Sequence, residues 1–257
     1  MDYALLLTAL TLATGLVWAF HKFFIARRLP DGSEPKGLAR ISESVGSFFP
    51  ILLAVLIFRS FLFEPFKIPS GSMIPTLLVG DFIVVSKYSY GLRLPVTNQR
   101  ILNTGEPERG DVAVFRFPLD QRVNYIKRVV GLPGDTVTYR NRSLFINGEL
   151  VAQDVEGNWM GRGRNRNYQG ELRMEHLGDH PHEVLIHPAQ RPADPNSWIV
   201  PEGHFFVMGD NRDRSADSRQ GWFVPEDLLV GRALFIWMHW DCSRGCVDFR
   251  RIGDKIH

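Results

Sequence analysis

The sequence predicts two N-terminal transmembrane helices followed by a mostly antiparallel β soluble region that carries an inserted subdomain. Three observations carry that prediction. Apolar residues crowd roughly the first sixty positions of the 257-residue chain, although the whole is only 44% hydrophobic. Past Phe63 the pattern changes to short runs rich in Val, Ile, Phe and Tyr with turn punctuation between them, as strands require. From about Val151 to Val200 that pattern lapses into a polar, irregular stretch. The formal net charge of +2 is too close to balance to call for a nucleic-acid partner.

The first helix is expected over residues 3–25, where Leu, Ala, Thr, Val, Trp and Phe dominate. About 20 apolar residues suffice to cross a bilayer as a helix. The basic residues follow this run rather than precede it, and Asp2 stands in front, which is not the pattern of a cleavable leader. The second helix is expected over residues 45–63, with Arg59 close enough to its end to reach lipid headgroups. A buried core helix is the plainer reading, and the length and the company of the first span argue against it. The loop between them, residues 26–44, holds Arg27, Arg28, Lys36 and Arg40 against Asp31, Glu34 and Glu43. That excess of Lys and Arg marks a cytoplasmic loop. The N-terminus and everything after Phe63 then lie outside, on the periplasmic face in a bacterium.

The soluble part divides into a β core, residues 64–150 and 201–241, an inserted subdomain at 151–200 and a C-terminal segment at 242–257. Strands are expected at 81–87, 111–117, 124–130, 136–139, 143–146, 204–208 and 232–238, with Asn147-Gly148 as a hairpin signal. The insert contains His176, His180, His182 and His187. These read as a solvated surface segment, because no Cys or carboxylate constellation accompanies them as a metal site would want. Cys242 and Cys246 form a lone C-x3-C, which fits a local disulfide if that end faces an oxidising compartment.

The chemistry centres on Ser70-Gly-Ser-Met-Ile-Pro-Thr76, placed just after the second apolar span. A nucleophilic serine needs a tight exposed turn and a nearby base. No histidine has an evident triad setting: four lie in the insert, and His204 and His239 sit in apolar strands as ordinary sheet residues. A lysine serves as base only where burial lowers its pKa. Lys127 fits best, because alternation puts it on one strand face with Tyr125 and Val129. A snorkelling surface lysine is the plainer reading of Lys127, and Lys67 and Lys87 remain rivals. The polar loop Gly209-Asp-Asn-Arg-Asp-Arg-Ser-Ala-Asp-Ser-Arg219 offers Ser215 or Ser218 to orient an amine and Asp217 with Arg219 to fix itself, or it is a plain solvated turn.

Four segments in order resemble bacterial type I signal peptidases, the Ser-Lys leader peptidases of peptidase family S26. They are Ile68-Pro-Ser-Gly-Ser-Met-Ile-Pro-Thr-Leu77, Arg109-Gly-Asp-Val-Ala-Val-Phe115, Tyr125-Ile-Lys-Arg-Val-Val-Gly-Leu-Pro-Gly-Asp135 and the loop 209–219. The resemblance runs from the membrane spans to near the C-terminus. It implies Ser72 as nucleophile, Lys127 as general base, and the Ser70 hydroxyl with the Ser72 N–H as the oxyanion hole. It further implies Ser215 orienting the Lys127 amine, Asp217 and Arg219 as a supporting pair, and Ile68, Met73, Leu77, Tyr125 and Ile126 lining the substrate pockets. The implied activity is removal of signal peptides from preproteins at Ala-x-Ala-type sites, at the outer face of the cytoplasmic membrane, in contact with lipid and near the secretion translocon. No cofactor and no metal are implied. Gly221-Trp222 stands transposed against the family pattern, which touches local packing only. The competing classes are a membrane-anchored binding module, in which Ser72 and Lys127 would be dispensable, and a self-cleaving Ser-Lys repressor-type peptidase, which the membrane spans disfavour.

Overall fold

The computed structural model describes residues 3–26, 37–94, 99–190, 195–242 and 246–257. The chain divides into two compact units, Met1–Phe63 with Leu92–Asn103, and Glu64–Gly91 with Thr104–His257.

In the first unit, α1 (Tyr3–Phe20) runs on through a π-helical turn at His21–Ile25. The second apolar helix is built from α2 (Leu38–Gly46), α3 (Phe49–Ile57) and a closing π-helical turn at Phe58–Leu62. Pro50 sits in the first turn of α3, where its missing N–H costs nothing. The apolar stretches Leu5–Ile25 and Leu38–Leu62 are each long enough to cross a bilayer. Helix therefore begins at Leu38, inside the span expected to be loop. Arg40 and Glu43 made that segment look polar, yet Leu38, Ile41 and Val45 recur at helical spacing. Arg27, Arg28, Asp31, Glu34 and Lys36 of the expected loop lie outside the described residues.

Small residues let the two helices approach. A methyl group on Gly46 would crowd the Trp18 backbone, and one on Gly15 would meet the Phe49 ring. Trp18 and Phe49 pack with centroids 5.4 Å apart, and His21 Nδ1 is 2.8 Å from Ser42 Oγ. Leu5, Leu12, Leu16, Ile51, Val55 and Ile57 are left exposed, an arrangement that lipid accommodates and water does not.

The strands are β1 (Phe63–Lys67), β2 (Asp81–Ser86), β3 (Leu92–Arg93), β4 (Arg100–Leu102), β5 (Val112–Phe117), β6 (Asp120–Gly131), β7 (Thr136–Arg140), β8 (Ser143–Ile146), β9 (Glu149–Leu150), β10 (Gln153–Met160), β11 (Gln169–Leu177), β12 (His180–Ile186), β13 (Asn196–Ile199), β14 (His204–Met208), β15 (Val224–Pro225), β16 (Leu229–Asp241) and β17 (Cys246–Val247). The main sheet has the order β1-β2-β16-β5-β6-β14-β15, with β17 added on β16. A second sheet runs β13-β7-β8-β9 and a third β10-β11-β12. Pairing is antiparallel wherever a register is defined in these sheets. β5 is buried on both faces: Val112 and Val114 enter one apolar cluster with Ile83 and Ile236, while Ala113 and Phe115 enter another with Val129 and Val207. Trp222, from the transposed Gly-Trp pair, packs in that second cluster against Phe115, Phe117 and Tyr125.

The stretch 151–200 corrects the expectation of irregular structure. It forms β10, β11 and β12, and β13 joins β7 in the second sheet. It belongs to the same compact unit as the core rather than standing apart. Period-2 alternation is broken in β10, where Asp154, Val155 and Glu156 are exposed in succession. Glu175 of β11 anchors the stretch from within. It is fully buried and receives both Arg212 Nη groups, one of them at 2.6 Å from Oε2. Burial alone would raise the Glu175 carboxyl, and the Arg212 guanidinium overrides this and holds it well below the usual carboxylate range.

Breaking a buried pair on one side leaves a bare charge in the core. Glu175→Gln should cost about 3–5 kcal/mol in urea unfolding at neutral pH. Glu175→Leu combined with Arg212→Met should cost clearly less than Glu175→Gln alone.

Candidate active site

The turn holding Ser72 is tied down by its backbone. Ile74 N donates to Gly71 O at 3.3 Å, and Leu77 N to Met73 O at 2.9 Å. The Ile74–Pro75 peptide is cis. Across the turn lies the loop after β14: Asn211 N donates to Ser72 O at 3.1 Å and Asn211 Nδ2 to Gly71 O at 2.8 Å. Thr76 Oγ1 donates to Asp210 Oδ2 at 2.5 Å. Both carbonyls that flank the serine backbone are thus held by one asparagine.

Lys127 enters from β6, in register with Ala113 of β5. Its Nζ donates to Ser72 Oγ at 2.7 Å and to the Ile126 carbonyl at 2.9 Å, and lies 5.4 Å from the Tyr125 ring centroid. The residue is only 4% exposed. Burial lowers its amine to about 8; the Asp217 and Asp210 carboxylates oppose the shift and Arg219 adds to it. Those carboxylates have cations of their own. Arg128 Nε and Nη2 both donate to Asp210, at 2.9 and 2.8 Å, and Arg219 Nε and Nη2 both donate to Asp217 at 2.8 Å. Asp217 Oδ2 also accepts from Gly209 N at 3.0 Å.

The structure thus brings Ser72 and Lys127 together, with Ser70 exposed on the same turn and Asp217 and Arg219 paired behind the lysine. Lys67 and Lys87 are directed elsewhere, over the Phe82 ring and to Glu64. Ser215 departs from expectation. Its Oγ is buried beside the Asp217 carboxylate, and the Lys127 amine bonds Ser72 and the Ile126 carbonyl rather than Ser215. It remains close by: a methyl group on Gly209 would overlap both Ser215 Oγ and the Ser72 carbonyl oxygen. Of the expected pocket residues, Ile68, Met73 and Leu77 are buried in one apolar cluster with Ile126 packed on it, so Met73 and Leu77 underlie the turn as core. Ile126 and Tyr125 keep open surface, Tyr125 stacked on Phe117.

Two histidines overturn the reading of a solvated cluster. His182 and His187 are buried; His187 Nε2 lies 2.8 Å from Asn211 Oδ1 and so braces the asparagine that holds the serine turn. His239 pairs with Asp81 at 2.6 Å, inside the main sheet. Among the described residues no group of three or more His, Cys, Asp and Glu is placed to hold a metal. Cys242 and Cys246 stand as two thiols in contact, and the Cys246 thiol is pushed up by its hydrogen bond with Cys242. The sequence reading assigned no role to Asn211, Asp210, Arg128 or His187. The dense polar run 209–219 was the available signal for the first two.

A family model described as "Signal peptidase, peptidase S26" matches residues 41–240. Curated relatives called "Signal peptidase I" include one from Pseudomonas fluorescens, 52% identical over 207 residues, which span 76% of this chain and 71% of the relative. One from Pseudomonas aeruginosa is 48% identical over 80% of this chain and 76% of its own length. A third, from Buchnera aphidicola, is 37% identical over 90% of each chain.

The lysine burial carries a stability cost with a defined pH window. The unfolded amine binds its proton up to about pH 10.4, whereas the folded one releases it near 8. The cost is therefore full below pH 8 and fades as pH rises towards the unfolded value. Lys127→Met should raise the melting temperature at pH 7, and this gain should shrink steadily between pH 8 and 10.

Proposed function

This chain belongs to the signal peptidase family, peptidase S26, and is a serine peptidase; within that family we propose that it cleaves signal peptides from exported preproteins with Ser72 as nucleophile and Lys127 as general base. The observation that carries the reading is the 2.7 Å contact between Ser72 Oγ and a buried amine lowered to about 8. When that amine is neutral the bond reverses direction, and the Ser72 hydroxyl donates to the Nζ lone pair. Attack of Oγ on the scissile carbonyl transfers the proton to Lys127. Collapse of the tetrahedral intermediate returns it to the leaving amine and leaves an ester on Ser72. Lys127 then takes a proton from water, which hydrolyses the ester.

The developing oxyanion is held by the Ser72 N–H and the Ser70 hydroxyl. Ser215 Oγ, buried beside the turn and next to the Asp217 carboxylate, supplies the acceptor that orients the amine once Ser72 Oγ is acylated. Asp217 and Arg219 hold the loop that carries it. The half-open surface at Ile126 and Tyr125, over a floor of Ile68, Met73 and Leu77, suits small side chains, hence Ala-x-Ala-type sites. The two apolar helices anchor the protein in the cytoplasmic membrane with the catalytic part on the periplasmic side, as the Lys and Arg content of the loop between them supports. There it meets preproteins as they leave the translocon, in contact with lipid.

Ser72→Ala and Lys127→Ala should each lower kcat/KM for a preprotein with an Ala-x-Ala site by at least ~10³-fold, scored by gel for the mature product; near-wild-type processing by either variant would remove the dyad. Ser70→Ala should cost about 10²–10³-fold, mostly in kcat. In wild type, kcat/KM should fall about tenfold per pH unit below 8, where Lys127 is protonated, and level off above it.

A further inference from the structure

Ser72 is approached by two different walls. One is β6, which brings Lys127 and Tyr125. The other comes from the loop 161–168, in the stretch first read as an irregular insert. Tyr168 at the end of this loop is half-buried, and its ring lies so close over Gly71 that a methyl group there would overlap the phenol. Gly71 is not among the glycines with left-handed φ, so the ring, rather than the backbone, excludes a side chain. The loop is firmly placed. Gly161 N donates to Tyr168 O at 2.9 Å, and Asn165 Oδ1 accepts from Val79 N at 3.0 Å. Asp241 Oδ2 accepts from Arg164 N at 2.8 Å. The Arg214 guanidinium lies 5.7 Å from the Tyr168 ring centroid.

The geometry points to Tyr168 as a specificity-determining residue of the cleft, one that touches the first side chain after the cut and limits its size. This rests on the proposed peptidase reading. There the segment before the cut occupies the Ile126 and Tyr125 side, so the leaving chain departs past Gly71 and the phenol ring. A rigid aromatic wall fixed by three anchors rejects bulk more sharply than a flexible side chain would, and pocket contacts of this kind change discrimination by about 10–200-fold.

The test uses the full-length protein in detergent and peptides identical up to the cut, with Ala or Trp as the first residue after it. Wild type should prefer Ala. Tyr168→Ala should raise the Trp-to-Ala ratio of kcat/KM by about tenfold or more, Tyr168→Leu should raise it less, and Tyr168→Phe should keep the wild-type ratio. Peptides varied only before the cut should keep their ranking in all three. An unchanged Trp-to-Ala ratio in the folded Ala and Leu variants overturns the proposal, as does a change confined to positions before the cut. Gly71→Ala should lose activity, and adding Tyr168→Ala should restore part of it; a double variant no better than Gly71→Ala also overturns it. Failure of wild type to cut either peptide, or cutting by Ser72→Ala, would instead sink the peptidase reading itself.

Discussion

The rest of this active site depends on keeping one amine dry. Lys127 can serve as a base near neutrality only because β5 and the second half of β6, from Lys127 onward, are buried and shut water out from the ammonium form. Two carboxylates stand near enough to undo this, since a negative charge favours the protonated amine. Each is matched by a guanidinium that grips it through two hydrogen bonds, Arg128 on Asp210 and Arg219 on Asp217. The field at Nζ is then that of two closed dipolar pairs rather than of two bare charges, and burial prevails.

The loop 209–219 carries more of this arrangement than its polar look suggests. Asp210 fixes Thr76 and Arg128, Asn211 holds the carbonyls of Gly71 and Ser72, Arg212 reaches Glu175 on β11, and Asp217 holds Gly209. The turn with the nucleophile, the strand with the base and the third sheet are thereby fastened to one segment. His187 extends the chain of support by a further step, bracing Asn211 from the end of β12. A solvated turn would share none of these bonds, and the burial of Asp210, Asn211, Arg212 and Asp217 follows from them.

Much of this was legible in the residues. The apolar spans, most core strands and the face shared by Tyr125, Lys127 and Val129 follow from periodicity alone, because burial of one face selects the pattern directly. The start of the second helix was not legible, since Arg40 and Glu43 are tolerated on the open side of a helix end. Strands β10 to β12 escaped because exposed residues follow one another along β10 and buried ones along the end of β12, so neither alternates cleanly, and Arg212, which ties the stretch to the core, is remote in sequence. The burial of His182 and His187 was hidden for the same reason: a histidine's surroundings are set by tertiary contacts that leave no local trace. The bond that Ser215 makes was not legible, since a hydroxyl rotor answers to geometry of a few tenths of an ångström. The wall formed by Tyr168 left no pattern at all, because it depends on a loop folding back on a glycine almost a hundred residues earlier.

The closed charge pairs also constrain how this sequence can drift. Exchanging only one member of Arg128–Asp210, Arg219–Asp217 or Arg212–Glu175 strands an ion in the interior, whereas replacing both together need not. Neutral single steps away from the present residues are scarce at these six positions, so lineages must cross an unfit intermediate or change two codons at once. The same chemistry that keeps the lysine reactive therefore slows divergence of the residues around it, while solvent-facing strands such as β10 remain free to wander.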